Sequence, residues 1–163
     1  MILIGIGANL RSPAGSPLAT CRATVSLIES SGIRIVRRSR WIESSPVPPS
    51  AQPWFINGVA RVETSLGPED LLAFLHVVEA AFGRVRTIPN APRTLDLDLL
   101  AYRHVIRTTD PILPHPRLHE RAFVVLPLVD IAPDWSHPTS GQTPHQLAAA
   151  LPSVQQIRWL SGH

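Results

Sequence analysis

The amino-acid sequence predicts an α+β sandwich in which helices pack on one face of a largely antiparallel sheet. Apolar stretches with strand character alternate with two segments of helical periodicity, in the order βαββαβ. Proline-dense segments separate some of these elements, and further short elements follow them toward the C-terminus. With 163 residues, 44% apolar and 17% charged, the chain is expected to fold as one domain over residues 1–163.

The first half of the chain predicts three strands and one helix. Residues 1–8 are apolar and β-branched, which predicts a buried strand, and residues 16–31 carry apolar side chains at helical spacing. Residues 33–42 alternate and predict a second strand. Four prolines within residues 44–53 exclude a regular element there. Because strand character resumes at 54–64, we interpret the proline-rich segment as a functional loop rather than a linker.

The second half begins with the clearest helix of the sequence, over residues 68–82. Pro68 occupies a first-turn position, acidic residues follow it, and leucines form an apolar stripe. An arginine-rich loop with two prolines comes next, and the following strand is predicted at 94–102. The C-terminal additions comprise two proline-dense segments, a short helix and a last strand, at 111–116, 133–144, 144–151 and 154–160.

The basic residues of the chain are unusual in kind rather than in number. All 15 are arginine, and the formal net charge is only +3. The absence of lysine excludes a P-loop lysine and a Schiff-base lysine as sources of chemistry. Arginine binds phosphates and carboxylates through paired hydrogen bonds, so a small phosphorylated ligand competes with nucleic acid as the explanation for the basic charge.

Three features predict a protein of the cytoplasm. No apolar run approaches the roughly 20 residues that a membrane-spanning helix needs. The N-terminus lacks the basic-then-apolar pattern of a signal peptide. The single cysteine, Cys21, cannot form an internal disulfide, and its place on an apolar helical face predicts burial in the core.

The most informative segment is Arg93-Thr-Leu-Asp-Leu-Asp-Leu-Leu100. In a strand, Asp96 and Asp98 lie on one face and the intervening leucines on the other. Two carboxylates at this spacing repel each other unless a cation lies between them, and Mg²⁺ prefers carboxylate oxygens together with water and phosphate. On spacing alone, the solvated face of an edge strand remains the alternative, since charged edge strands are common.

Neighbouring arginines favour the metal interpretation. Arg84, Arg86 and Arg93 lie in or beside the loop that leads into this strand, and Arg121 lies further on. Carboxylates that hold Mg²⁺ among arginines are typical of phosphoryl-group transfer, where positioning and charge neutralisation supply most of the catalysis. A solvated loop or a nucleic-acid patch is the alternative, but a nucleic-acid groove has no use for paired aspartates at its centre.

Aromatic residues from two parts of the chain indicate a site for a flat ligand. Phe55 follows the proline-rich loop 44–53, and Phe123 follows a second proline-rich turn. Two such rings can enclose a heterocycle, with Asn57 supplying directional hydrogen bonds. Burial in the core is the alternative for each ring.

Two other patterns are not interpreted as sites. Gly5-Ile-Gly7 begins like a dinucleotide-binding fingerprint, but Leu10 occupies the third glycine position, which favours a structural turn. His115 and His119 have the spacing of zinc ligands on a helix, but a proline separates them and no HExxH pattern is present.

The block over residues 91–100, APRTLDLDLL, resembles the signature of the 6-hydroxymethyl-7,8-dihydropterin pyrophosphokinase family of folate biosynthesis. Further segments fall in the family's order along essentially the whole chain, at residues 7–10, 52–57, 69–72, 83–86, 114–115 and 121–128. The resemblance implies a ferredoxin-like fold, a monomer or weak homodimer, and small-molecule substrates rather than nucleic acid or a membrane. It also implies transfer of diphosphate from ATP to the hydroxymethyl oxygen of the pterin, with release of AMP.

The resemblance further implies roles for individual residues of this chain. Asp96 and Asp98 are implied to hold two Mg²⁺ ions on the ATP phosphates. The residues implied to stabilise the transferred group are Arg84 and Arg93, and those implied to contact ATP are Glu79, Arg86, His115 and Arg121. The residues implied to form the pterin pocket are Ser44, Ser45, Val47, Phe55, Asn57 and Phe123.

Some positions depart from the family pattern, and apart from Phe55, which replaces a tyrosine and keeps its ring, they concern ATP. The loop 84–93 is one residue short, and the other departures are His76, Asp110 and Ile112. Two alternatives to the enzyme stay open. One is a catalytically silent paralogue that binds pterin or nucleotide. The other is a ferredoxin-like RNA-binding module, against which the aspartate pair and an aromatic content of 6% argue.

Overall fold

The computed structural model describes residues 1–85, 92–153 and 155–162. These ranges contain six strands, four α-helices and one 3₁₀ turn at Leu118–Glu120. The strands are β1 (Ile2–Ala8), β2 (Arg34–Arg38), β3 (Ile42–Ser44), β4 (Phe55–Glu63), β5 (Asp96–Tyr102) and β6 (Ile157–Trp159). The α-helices are α1 (Pro17–Ser30), α2 (Pro68–Ala81), α3 (Ala122–Ile131) and α4 (Pro144–Ala149).

The strands form one sheet in which every described pairing is antiparallel. The strand order is β5-β1-β4-β3-β6, and β2 pairs with β4 beside β3. β1 is therefore an interior strand, with β4 on one side and β5 on the other. Its register sets Gly7 between Asn57 of β4 and Asp96 of β5. The topology thus brings residues from three distant parts of the sequence to one end of the sheet.

Different helices cover the two faces of the sheet. On one face, α1 and α2 close a core that includes Ile4 and Leu99. On the other face, α3 and α4 pack over Leu3, Val59 and Leu100. The α+β sandwich predicted from the sequence is confirmed, with the two predicted long helices on one face. The C-terminal additions form a second helical layer on the opposite face.

Local sequence signals determine where the helices begin. The Ser16 hydroxyl accepts a hydrogen bond from the amide of Ala19 at 3.2 Å and so caps α1. α2 begins at Pro68, whose missing N–H costs nothing in a first turn. Thr143 and Gln146 form a reciprocal capping box at the start of α4. These short-range contacts explain why the sequence pattern predicted all three helices.

The single strand predicted at 33–42 is wrong, because the chain forms β2 and β3 with an interruption at residues 39–41. Ser39 donates its amide to the Val59 carbonyl, while its hydroxyl accepts from the Val59 amide at 3.0 Å. Trp41 then turns into the core, where it is 1% exposed. A Cβ atom on Gly58 would lie 2.6 Å from the Trp41 ring, so only glycine leaves room for this side chain.

α3 is the one helix that the sequence did not predict. Pro127 lies inside it, and most of its side chains are buried. Such a helix shows no amphipathic stripe, because it is apolar nearly all round, and an internal proline is a helix-breaking signal. Although α3 is so apolar, neither it nor any other helix within the described residues is long and apolar enough to cross a membrane.

Candidate active site

A small cavity between the sheet and the start of α3 lies at the base of the candidate site. Gly7 pairs with Asp96 across one side of β1, and Gly5 pairs with Asp98. Because the glycines carry no side chains, the two carboxylates face open space beside β1. A Cβ atom on Gly7 would lie 2.6 Å from Oδ1 of Asn57. Both glycines thus belong to β1, and the structural turn predicted for them is wrong.

Both carboxylate oxygens of Asp96 contact arginines. Oδ1 lies 2.7 Å from Nη1 of Arg84, and Oδ2 lies 3.0 Å from Nη1 of Arg93. The Arg84 guanidinium also pairs with Glu79 and donates to the Leu95 carbonyl at 3.3 Å. Burial alone lowers the pKa of Arg84, but the Asp96 and Glu79 carboxylates outweigh it and raise that pKa.

Glu79 lies behind Arg84 rather than at the surface. Its side chain is 2% exposed, and Oε2 accepts the backbone amide of Leu97 at 3.0 Å. The same carboxylate therefore joins α2 to β5 and holds the guanidinium that reaches Asp96. In the structure Glu79 fixes the arginine, and its sequence-predicted contact with nucleotide stays a prediction.

The Asp98 carboxylate lies near two side chains from the C-terminal half of the chain, the Arg121 guanidinium and the His115 imidazole. Its oxygens lie 3.4 Å from Nη1 of Arg121 and 3.9 Å from Nε2 of His115. Burial, and then the charge of Asp96, raise the pKa of Asp98 to about 7. Burial, followed by the charge of Arg121, lowers the pKa of His115 to about 4. His115 Nδ1 accepts the Arg117 amide at 3.1 Å, so the neutral ring carries its proton on Nε2, toward Asp98.

The aspartate pair is suited to bind a divalent cation whose remaining ligands come from water and a substrate. Among the described residues, no group of three or more His, Cys, Asp or Glu side chains could hold a metal ion. Mg²⁺ is commonly bound through one or two carboxylates plus water and substrate phosphate oxygens. Asp96 and Asp98, on one face of β5, supply that donor set when a polyphosphate supplies the rest.

All six residues predicted for a pterin pocket line one cavity next to the aspartates. They are Ser44, Ser45, Val47, Phe55, Asn57 and Phe123. The Asn57 amide donates to the Ser44 hydroxyl at 2.6 Å, which holds β3 and β4 together at the cavity wall. The Arg121 guanidinium lies 5.5 Å from the centre of the Phe123 ring. The cavity thus combines two aromatic rings with a fixed amide, as recognition of a flat heterocycle requires.

A second cavity begins where the first one ends. It is lined by Arg84, Asp98 and His115, and it also includes the three positions that depart from the family pattern, His76, Asp110 and Ile112. Arg93 and Asp96 line both cavities. Groups held in the two cavities would therefore meet at these two residues. Arg86, predicted to contact ATP, lies outside the described residues.

Asn9, at the end of β1, connects the walls of the first cavity and was given no role from the sequence. Its amide nitrogen donates to the Gln52 side chain at 2.8 Å and to the Pro53 carbonyl at 3.0 Å. Its amide oxygen accepts the backbone N–H of Arg93 at 2.9 Å. The side chain is almost fully buried. The sequence carried two signals: a polar residue directly follows a buried strand, and Asn9 lies within residues 7–10, one of the segments in the family's order.

These features define the class of the protein. Carboxylates paired with arginines at the junction of an aromatic cavity and a polar cavity are suited to hold a polyphosphate against a second, flat substrate. The α+β fold and this site are those of an enzyme that transfers phosphoryl groups.

Residues 3–133 match the sequence model of the 7,8-dihydro-6-hydroxymethylpterin-pyrophosphokinase (HPPK) family, and the chain belongs to this family. The 2-amino-4-hydroxy-6-hydroxymethyldihydropteridine pyrophosphokinase of Pseudomonas aeruginosa is 39% identical, over 91% of this chain and 90% of its own length. The Synechocystis enzyme of the same name is 40% identical, over 89% of this chain and 73% of its own length. The predicted family of ATP-dependent diphosphokinases of folate synthesis is confirmed.

Other relatives are much longer than this chain. The folic acid synthesis protein fol1 of Pneumocystis carinii is 39% identical over 86% of this chain, which spans 18% of that protein. The crystal structure of Plasmodium falciparum HPPK-DHPS superposes with a TM-score of 0.71 over 91% of this chain and 44% of that one. At 13% identity, this second likeness concerns the fold alone.

Proposed function

We propose that this chain transfers the diphosphate group of ATP to the hydroxymethyl oxygen of 6-hydroxymethyl-7,8-dihydropterin. The hydroxyl oxygen attacks the β-phosphorus, the bond from that phosphorus to the α,β-bridging oxygen breaks, and AMP leaves. The hydroxyl proton is released, and the other product is the pterin diphosphate. One observation carries the proposal: an aromatic cavity and a polar cavity meet at Arg93 and Asp96, where the two reacting groups must meet.

The pterin occupies the aromatic cavity in this proposal. Phe55 and Phe123 contact the faces of the ring system, and Asn57 hydrogen-bonds its edge. Ser44, Ser45 and Val47 line the same cavity and exclude water on the opposite side. The support is that these residues, drawn from β3, the following loop, β4 and α3, converge on one volume.

ATP occupies the polar cavity, with its phosphates toward the arginines. Arg84 and Arg93 bind the transferred group and stabilise the charge that develops on it. His115 donates a hydrogen bond from Nε2 to a phosphate oxygen. Arg121 adds positive charge beside Asp98. Arg86 is proposed to contact ATP, and Glu79 to act on it by holding Arg84.

Two Mg²⁺ ions are proposed to accompany ATP, held by Asp96 and Asp98. When bound, the ions neutralise phosphate charge and polarise the reacting phosphorus. The protein's own contribution is to fix both carboxylates on one face of β5 and to hold Arg84 and Arg93 against Asp96, next to the proposed phosphate position.

The physiological setting follows the same reasoning. We propose that residues 1–163 act as one pterin pyrophosphokinase domain in the cytoplasm, as a monomer or weak homodimer. Its ligands are the two small-molecule substrates, without nucleic acid or a membrane. The net charge of +3 and the ion-paired state of the site arginines support small anionic ligands over a polyanion.

The deciding experiment mixes purified protein with 6-hydroxymethyl-7,8-dihydropterin and MgATP and follows AMP and pterin diphosphate, with EDTA as control. Equal amounts of both products, abolished by EDTA, are expected. Formation of ADP would mean that the γ-phosphorus is attacked and would refute the proposed reaction. Folded protein that binds pterin without nucleotide turnover would identify the silent paralogue instead.

A further inference from the structure

We infer that Gln155, in the C-terminal segment beyond the family match, is a positioning residue that fixes Arg121 in the active site. The inference rests on the proposed function. The family match covers residues 3–133, so it assigns nothing to this glutamine. Gln155 lies just before β6, far along the chain from the signature strand β5.

The Gln155 side chain binds the two peptide groups that flank Arg121. Its Oε1 accepts the backbone N–H of Ala122 at 2.7 Å, and its Nε2 donates to the carbonyl of Glu120 at 2.9 Å. One peptide group precedes Arg121 and the other follows it. Both hydrogen bonds together restrict the backbone rotations that aim the Arg121 side chain.

The start of α3 depends on this contact. Arg121 is the N-cap residue, and its side chain makes no capping hydrogen bond. The first amides of a helix have no partner within the helix, and Ala122 is 4% exposed. Gln155 therefore performs the capping from a distant part of the chain. Its position matters to the site because Arg121 reaches Asp98 at 3.4 Å.

The same segment also holds the opposite wall of the aromatic cavity. The Ser45 amide donates to the Gln156 carbonyl at 3.1 Å, and the Gln156 amide donates to the Ser45 hydroxyl at 3.4 Å. β6 pairs with β3, where Ile157 lies opposite Ser44. Residues 155–157 thus set the spacing between the serine wall and the wall formed by Arg121.

The test compares Gln155→Leu with Gln146→Leu in the full chain. Gln146 accepts the Thr143 amide at 2.9 Å in the capping box of α4, so its substitution removes a comparable contact away from the site. We expect Gln155→Leu to lower kcat about tenfold, since small misplacements of a catalytic group have large effects. Gln146→Leu should leave kcat unchanged at a similar loss of Tm.

A double-mutant cycle separates positioning from general destabilisation. In an Arg121→Ala background, Gln155→Leu should cause no further fall in kcat, because the side chain it positions is gone. Multiplying losses in the double variant would overturn the inference, and so would near-normal kcat in Gln155→Leu. Absent turnover in the unsubstituted chain would instead refute the proposed function.

A second variant covers the case in which Gln155→Leu fails to fold. Gln155→Glu keeps an acceptor for the Ala122 amide, where a carboxylate also suits the helix N-terminus, but replaces the donor to the Glu120 carbonyl with an oxygen that repels it. It should fold like the unsubstituted chain and lose turnover several-fold, again without further effect in the Arg121→Ala background. Full turnover of Gln155→Glu would contradict the role of the second hydrogen bond.

Discussion

The two faces of the sheet obey different physical requirements. On the face under α1 and α2, Ile4 of β1 and Leu99 of β5 are buried in a closed apolar core. One residue further along the same strands, Gly5 leaves space and Asp98 presents a carboxylate to it. The first face is closed by apolar side chains, whereas the second combines a buried apolar cluster under α3 and α4 with charge next to an open volume. Because successive side chains along a strand point to opposite faces, one strand can contribute both to the apolar core and to the site, through neighbouring residues.

The largest effect is expected for Asp98→Asn, which removes a charge from the open face without changing its volume. Turnover should fall at least about 1000-fold, because a carboxylate that holds a metal supplies several kcal/mol to the transition state. Tm should stay equal or rise, since burial raises the pKa of Asp98 to about 7 and the ionised form therefore costs stability near neutral pH. Steady-state product formation measures the turnover, and calorimetry measures the Tm. Near-normal turnover would refute the metal-ligand role.

A smaller effect is expected for Arg93→Ala, at the junction of the two cavities. Turnover should fall about 100-fold, because a charged donor to the transferred group is lost, while pterin affinity changes much less. Arg34→Ala is the matched control, since Arg34 forms an exposed ion pair with Glu63, at the opposite end of β4 from Asn57. Unchanged turnover in Arg93→Ala, measured by product formation with pterin binding followed by calorimetry, would contradict its role.

Gly7→Ala should fill the open face by a single carbon atom. The new Cβ would lie 2.6 Å from Oδ1 of Asn57, so the amide must move. We expect pterin affinity to fall about tenfold, which corresponds to the loss of one well-placed hydrogen bond. Gly67→Ala serves as control because nothing lies within 4 Å of its added Cβ. Equal affinity of both variants in a binding titration would mean that Asn57 does not recognise the pterin.

The smallest effect on activity is expected on the closed face. Ile4→Val removes one carbon atom from a fully buried side chain. The free energy of unfolding should fall by about 1 kcal/mol, as for other buried isoleucines, while turnover stays unchanged. Denaturant unfolding and product formation give the two values. A loss of turnover would show that the two faces are coupled.

Local patterns explain how much of the site was predictable. The alternation in residues 93–100 was sufficient to place Asp96 and Asp98 on one face, and the structure has them there. The aromatic pattern suggested Phe55, Asn57 and Phe123, and the family resemblance added Ser44, Ser45 and Val47. All six line one cavity. In each case the information lies in neighbouring residues or in a motif.

Long-range contacts were not predictable in the same way. Asn9 and Arg93 are 84 residues apart, and Gln155 and Ala122 are 33 apart. A polar residue at the end of a strand, or before one, has the same local pattern whatever it contacts. α3 was missed for a related reason, since its burial on several sides by the rest of the fold removes the amphipathic signal.

The hydrogen bonds of Asn9 have a thermodynamic consequence for the two substrates. The buried Asn9 side chain binds the loop that carries Gln52 through its nitrogen and the segment that carries Arg93 through its oxygen. If either segment moves away, the Asn9 amide loses a hydrogen bond that orients it toward the other segment. A ligand that rearranges one loop therefore changes the free energy of arranging the second. Linkage makes any such effect reciprocal: whatever factor nucleotide contributes to pterin affinity, pterin must contribute to nucleotide affinity.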